Sequence, residues 1–246
     1  MDIIGGRNPV FELLRGERKV KEIWIAQGIK ETEGIKKIKK LAKAKRVLIR
    51  IVPREKIESI SHIDVHQGIV AYAEDFKYRE LENFLSDVKN VCESIVLVLD
   101  EVTDPQNFGS LIRSAEACGV SGIIISKRRS VQVTATVFKA SAGAVEHVPI
   151  IKVSNLVRAV ERLKERGFWI FGADALAEKL YFETDLTGKS CIVLGGEDKG
   201  IARLLLEKCD FLVKIPMFGK VNSLNVAIAG AILMCEDRRQ RSCLNT

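Results

Sequence analysis

Residues 94–119, SIVLVLDEVTDPQNFGSLIRSAEACG, decide how the rest of the chain is read. The run from Ile95 to Leu99 is apolar at every position. Such continuous Ile/Val/Leu strands, without polar alternation, are buried on both faces. A loop carrying Asp104, Pro105 and Asn107 follows, and then a helix beginning near Phe108, with Arg113 about two turns inside its start. The same strand-then-helix rhythm recurs downstream. Strand-like runs GIIISK, HVPIIKV, FWIFGAD, CIVLGG and FLVKIPM alternate with the helical patterns TATVFKASAGAV, NLVRAVERLKERG and GIARLLLEKC. This alternation predicts an α/β fold with a mostly parallel sheet covered by helices. In such sheets ligands bind beyond the carboxyl ends of the strands, so the strand ends are where function is to be sought.

Three strand ends are unusually polar. The first is the Asp104–Asn107 loop, where Asp104 or Asn107 is also a good helix cap. Arg113, near the positive end of its helix, runs against the macrodipole, and an anionic ligand would compensate for that. The second is CIVLGGEDKGIARLL, with Gly195 and Gly196 at a strand tip, where a ligand can approach the backbone closely. Glu197 follows, and Gly200 is read as the start of the next helix. The third is IPMFGKVNSLNVAIAGAIL, Ile215 to Leu233, where Ser223 reads as a helix N-cap and Asn225 lies at the same helix start. The small residues behind them suit close helix packing, including packing against a second subunit. Familiar nucleotide signatures are absent. No G-x-G-x-x-G occurs, and TGKS at residues 187–190 has Glu183 where a phosphate-binding loop needs glycine.

The chain has 246 residues, 47% of them hydrophobic, enough for a substantial core in one large or two small domains. The apolar runs fall short of the roughly 18–20 residues of a membrane span, and MDIIGGRNPVFELL has no signal-peptide pattern. The expectation is a cytoplasmic protein with no membrane partner. Six cysteines include no C-x-x-C pair, and His62 and His66 stand at i, i+4 in a stretch that reads as a turn into a strand, so no metal site is expected. Of the net charge of +7, the stretch Arg15–Arg54 alone carries 14 Lys/Arg against 4 Glu, which leaves the remainder acidic. Charge gathered on one module suits a phosphate backbone. The simpler alternative is a solvated face of the helix EGIKKIKKLAKAKR, with Ile35, Ile38 and Leu41 or Ala42 as its apolar stripe. Before Phe76 the pattern alternates short helices and strands: helices over 9–14 and 54–59 and the lysine-rich helix, and strands over 22–26, 47–52 and 68–73. The order predicts a compact α/β module. FKYRELENFLSDVKN reads as a connector with an amphipathic helix.

Together, LDEVTDPQNFGSLIRSAEACG, IVLGGEDKGI and IPMFGKVNSLNVAIAGAIL closely resemble the three motifs of the SpoU (TrmH-like) family of RNA ribose 2′-O-methyltransferases. The resemblance spans residues 94–240. The N-terminal part, with GGRNPVFELL and HQGIVA, resembles the ribosomal-protein-like RNA-binding domain of the bacterial subgroup that methylates a guanosine of 23S rRNA. The resemblance implies an RNA substrate-binding domain over 1–75, a linker and connecting helix over 76–93, and a methyltransferase domain over 94–246. Periodicity alone points to an ordinary doubly wound sheet, whereas the SPOUT-type fold of the family implies a C-terminal trefoil knot, here roughly Cys191 to Arg238. It implies S-adenosyl-L-methionine as cofactor, held by Gly195, Ile215 and Leu224 largely through main chain. Asn107, Arg113, Glu197, Ser223 and Asn225 are the implied catalytic set. RNA rather than DNA is the expected partner, with large-subunit rRNA favoured over tRNA, and a homodimer is expected. Two other classes stay open. A nucleotide-dependent oxidoreductase lacks its glycine-rich turn here, and a non-catalytic RNA-binding protein leaves the polar strand ends without a purpose.

Overall fold

A computed structural model describes residues 1–60, 66–196 and 199–244. Two compact units emerge, Met1–Lys77 with Gln132–His147, and Tyr78–Val131 with Val148–Thr246. In the first, β1 (Asp2–Gly5), β2 (Val20–Ala26), β3 (Leu48–Val52) and β4 (Ile69–Ala73) form a sheet ordered β1-β4-β2-β3. Its β2–β3 pair is parallel, and the other two pairs are antiparallel. Helices α1 (Arg7–Arg15), α2 (Glu33–Ala44) and α3 (Arg54–Ile60) belong to the same unit. The lysine-rich α2 forms where its spacing demands. Thr32 Oγ1 accepts from the Ile35 amide, Glu33 complements the dipole in the first turn, and Ile35, Ile38 and Ala42 are buried. Leu41 is only partly buried, so Ala42 completes the stripe. β1 is not expected from the sequence, because DIIG is too short a run to show a period.

In the second unit, β5 (Ser94–Asp100), β6 (Gly122–Ser126), β7 (Ile150–Val153), β8 (Trp169–Ala173), β9 (Lys179–Leu180), β10 (Lys189–Gly195) and β11 (Phe211–Lys214) form one sheet. Its order is β7-β6-β5-β10-β8-β11-β9, and every pairing is parallel. This is the mostly parallel α/β sheet expected from the all-apolar strands; every residue of β5 is buried. A late strand, β10, occupies the centre between β5 and β8. The connector helix α4 (Leu81–Asp87) buries Phe84 and Leu85 in the same core as β5, β6 and β10. Burial of side chains of that size contributes roughly 1.5–3 kcal/mol each. Helices α5 (Pro105–Ala117), α7 (Leu156–Lys164), α8 (Arg203–Leu206) and α9 (Val226–Leu244) belong here too. Near its end, α9 is fixed by Arg241, which is 2% exposed and pairs with Asp237. Its guanidinium also donates to the Gly188 carbonyl at 2.6 Å and to Ser190 Oγ at 3.0 Å, tying the helix to the entry of β10.

One segment departs from the sequence reading. The pattern TATVFKASAGAV suggests a helix covering the large sheet. Instead α6 (Ala135–Ala140) and the following 3-10 turn (Ala144–Glu146) pack in the first unit. Phe138 meets Phe76 edge-on with centroids 6.1 Å apart, and the Arg18 guanidinium lies 4.8 Å from the Phe138 ring centroid. A Cβ at Gly143 would lie 2.6 Å from Glu12 Cβ, and its φ of +93° also favours glycine there. His147 Nε2 meets Glu12 Oε2 at 2.7 Å. Periodicity reports that a helix has an apolar face, not which core receives it. No helix among the described residues is long and apolar enough to cross a membrane.

Candidate active site

The carboxyl ends of β8, β10 and β11 and the loop ahead of α9 line a cavity of about 180 Å³. Gly195, Ile215, Ser223 and Leu224, all singled out in the sequence, are on its wall, together with Asp174 and Val226. A second cavity of about 220 Å³ shares Gly196, Gly200 and Val226 with the first and extends to Thr103, Asp104, Asn107 and Lys199. The two hollows are therefore neighbours at the strand ends, one walled largely by backbone and aliphatic groups, the other polar.

Each polar residue is placed by a local cause. Asp104 caps α5, its Oδ2 accepting from the Asn107 amide at 2.7 Å, with Pro105 in the first turn. Asn225 Oδ1 accepts from the Ala227 amide at 2.9 Å, and the Asn225 carbonyl accepts from Ala229 at 3.0 Å. Asn225, not Ser223, is therefore the N-cap of α9. The helix begins at Val226, two residues later than a Ser223 cap would require, which leaves Ser223 on the cavity wall. Asn225 Nδ2 also donates to Asn107 Oδ1 at 2.9 Å, joining the starts of two helices that are far apart in sequence.

The glycines at the tip of β10 serve a different purpose from the one their sequence suggests. A Cβ at Gly195 would lie 1.9 Å from the Gly200 carbonyl carbon and 2.2 Å from the Ile201 amide nitrogen. One at Gly196 would lie 2.7 Å from the Glu101 carbonyl oxygen. The close approach is that of the chain's own backbone, folded over the strand tip. Gly200 has φ of +63° and does not start a helix; α8 begins at Arg203. Asp100, unflagged in the sequence, fastens this arrangement. Its Oδ2 accepts from the Ala202 amide at 2.8 Å, and burial raises its pKa against the opposing effect of that bond. The available signal was an acid closing an all-apolar strand. Asp174 was missed in the same way, at the end of FWIFGAD.

Arg113 lies exposed on α5 and lines neither cavity. Glu197 and His62 lie outside the described residues. His66 is buried, its Nδ1 accepting from the Gly68 amide at 3.1 Å, a role in the turn. Among the described residues no group of three or more His, Cys, Asp or Glu could hold a metal ion.

A parallel sheet with paired hollows at its strand ends, accompanied by a small basic module, defines an α/β protein of the cofactor-binding kind. The chain belongs to the SpoU rRNA Methylase family, whose model matches residues 94–235, and residues 3–79 match the RNA 2′-O ribose methyltransferase substrate binding domain. It is 42% identical over 242 residues to "Putative TrmH family tRNA/rRNA methyltransferase YacO" of Bacillus subtilis, covering 98% of this chain and 96% of that one. The AdoMet-bound rRNA methyltransferase of Sinorhizobium meliloti superposes with a TM-score of 0.80 at 25% identity, covering 97% of this chain and 87% of that one. The SpoU methyltransferase AviRb of Streptomyces viridochromogenes, solved with AdoMet, superposes with a TM-score of 0.82. At 21% identity over 98% of this chain and 90% of that one, the likeness is one of fold.

Proposed function

We propose that the protein methylates a ribose 2′-hydroxyl of RNA from S-adenosyl-L-methionine, at a guanosine of 23S rRNA, in the cytoplasm. The observation that carries this reading is the pair of adjoining cavities, which gives a cofactor and a reacting hydroxyl separate but neighbouring seats. The backbone-walled cavity fits the cofactor. Gly195, Ile215 and Leu224 offer main-chain groups and aliphatic surface, and Asp174 offers a carboxylate for a polar end of the molecule. When bound, the cofactor supplies an electrophilic methyl group.

The chain's own residues do the rest. A ribose hydroxyl is a weak nucleophile, so alignment matters most, and it can supply up to roughly 7–11 kcal/mol. Asn107 and Asn225, tied to each other, fix the wall between helix starts, and Ser223 is free of the capping role and available to hold the ribose. A guanidinium hardly ever gives up its proton. Arg113 therefore binds the adjacent phosphate and stabilises the developing alkoxide, and the proton leaves to a neighbouring group or water. Glu197 orients Arg113 or the asparagines. The basic module of residues 1–75 holds the RNA, residues 76–93 connect, and residues 94–246 carry the reaction, with the family's trefoil knot over roughly Cys191 to Arg238. A homodimer is supported by apolar side chains left in solvent on and before α9: Phe218 is 96% exposed, Val221 68% and Ile228 54%.

The test is transfer of labelled methyl from S-adenosylmethionine to unmodified large-subunit rRNA and, in parallel, to total tRNA, with the labelled nucleoside mapped. Label confined to 2′-O-methylguanosine in rRNA is expected. Label in tRNA keeps the chemistry and overturns the substrate; label in neither, with RNA still bound, favours a non-catalytic RNA-binding protein.

A further inference from the structure

The first unit contains a cavity of about 480 Å³ that the reaction does not use. Arg7, Lys30 and Arg54 stand on its wall with Gln27 and Gln67, and among the described residues no carboxylate lines it. Arg54 is partly neutralised by Glu58 at 3.0 Å. Arg7 and Lys30 have no ion-pair partner among the described residues. Arg7 is held in place without being satisfied. One guanidinium nitrogen makes only a long 3.5 Å bond to Thr32 Oγ1, and Nε is shielded from solvent with no acceptor among the described residues. A buried donor left unpaired is costly, and a ligand bringing an acceptor removes that cost.

The wall is also built to stay open. Gln67 adopts φ of +53°, and its Oε1 accepts from the Arg7 amide at 3.0 Å, which caps α1 from outside its own sequence. Gly28, with φ of +74°, has nothing within 4 Å of where a Cβ would stand. Two amide side chains beside three cations match a group with both an anionic part and hydrogen-bonding edges. A paired RNA helix presents a convex surface whose base edges are engaged, whereas unpaired nucleotides can be splayed into a hollow.

Resting on the reading of this protein as an RNA methyltransferase, we infer that this cavity takes one unpaired nucleotide of the RNA substrate, its phosphate held by Arg7 and Lys30 and its base edge met by Gln27 and Gln67. The seat is separate from the one for the methylated nucleotide, so it selects RNA with a loop or bulge.

Binding of the full-length protein to a fluorescein-labelled RNA hairpin with a mixed-sequence loop, and to a fully paired RNA duplex of equal length, tests this by anisotropy across a salt series. Wild type should bind the hairpin more tightly. The double variant Arg7→Gln/Lys30→Gln should weaken hairpin binding about tenfold or more and flatten the slope of log K against log salt by about 0.7, the value for one single-strand phosphate. The pair Lys40→Gln/Lys43→Gln, on the exposed face of α2, removes equal charge and should have less effect. Arg7→Lys keeps the charge and should weaken binding without changing the slope, which distinguishes lost contact geometry from misfolding. Equal losses in the two double variants, or equal wild-type affinity for hairpin and duplex, would overturn the inference while leaving methyl transfer standing. No RNA binding by wild type would overturn both readings.

Discussion

Arg113 is permanently charged, so in the proposed mechanism it acts on the hydroxyl by charge and not by taking its proton. If it acts by charge, Arg113→Ala should lower kcat by about 10²–10³ and leave S-adenosylmethionine affinity unchanged, measured by single-turnover transfer and calorimetry. Near wild-type turnover would remove Arg113 from the mechanism. Glu146 poses the opposite problem. Its side chain is 4% exposed and 3.5 Å from an Arg18 nitrogen, too poorly aligned for a hydrogen bond, so attraction only partly offsets burial. Burial pushes its pKa up to about 7, against the pull of Arg18 and His147. A carboxyl with a raised folded-state pKa contributes stability that is full below its unfolded value of about 4.5 and is lost as pH rises through about 7. Glu146→Gln mimics the protonated form. It should therefore raise the unfolding free energy at pH 8, by on the order of 3 kcal/mol at most and seen as a higher melting temperature, with the gain closing as pH falls toward 4.5. A loss of stability at pH 8 would mean that the ion pair outweighs burial.

Among the elements, β10 and its returning loop shape the cavity proposed for the cofactor. Gly195→Ala puts a methyl group where the Gly200–Ile201 backbone already sits, so the loop must lift from the strand tip. The expected outcome is at least about a tenfold loss of S-adenosylmethionine affinity by calorimetry, with far-UV circular dichroism unchanged. Retained affinity would show that the loop's position is not needed. This element also marks the limit of what the sequence disclosed. The strand itself was legible, because CIVLGG is apolar at its core, and so were α2, from Ile35, Ile38 and either Leu41 or Ala42, and a cap at Asp104 or Asn107, of which the structure selects Ala42 and Asp104. The reason for the two glycines was not, since their close neighbours lie across a turn whose path depends on Asp100 and Ala202. Nor was the central place of β10: alternation fixes burial, and strand order is set by tertiary pairing. The cap of α9 was misplaced by two residues because Ser223 and Asn225 are equally good caps, and only the helix start at Val226 distinguishes them.

For the whole molecule, the three motifs made the family legible, and the substrate domain with it, through residues that no periodicity argument would join. The assembly is open to direct measurement. If α9 carries the contact between copies, Ile228→Glu should convert a dimeric mass to a monomeric one in light scattering, while a monomeric wild type would defeat the proposal at once. The division into two units has another bearing, on synthesis. Because Gln132–His147 packs with Met1–Lys77, the first unit is not made of the first residues alone. On the ribosome it stays incomplete until His147 has emerged, with Phe76, Arg18 and Glu12 awaiting partners, while the strands β5 and β6 of its neighbour have already been made. A chain cut after Lys77 would carry the basic module without the piece that finishes it.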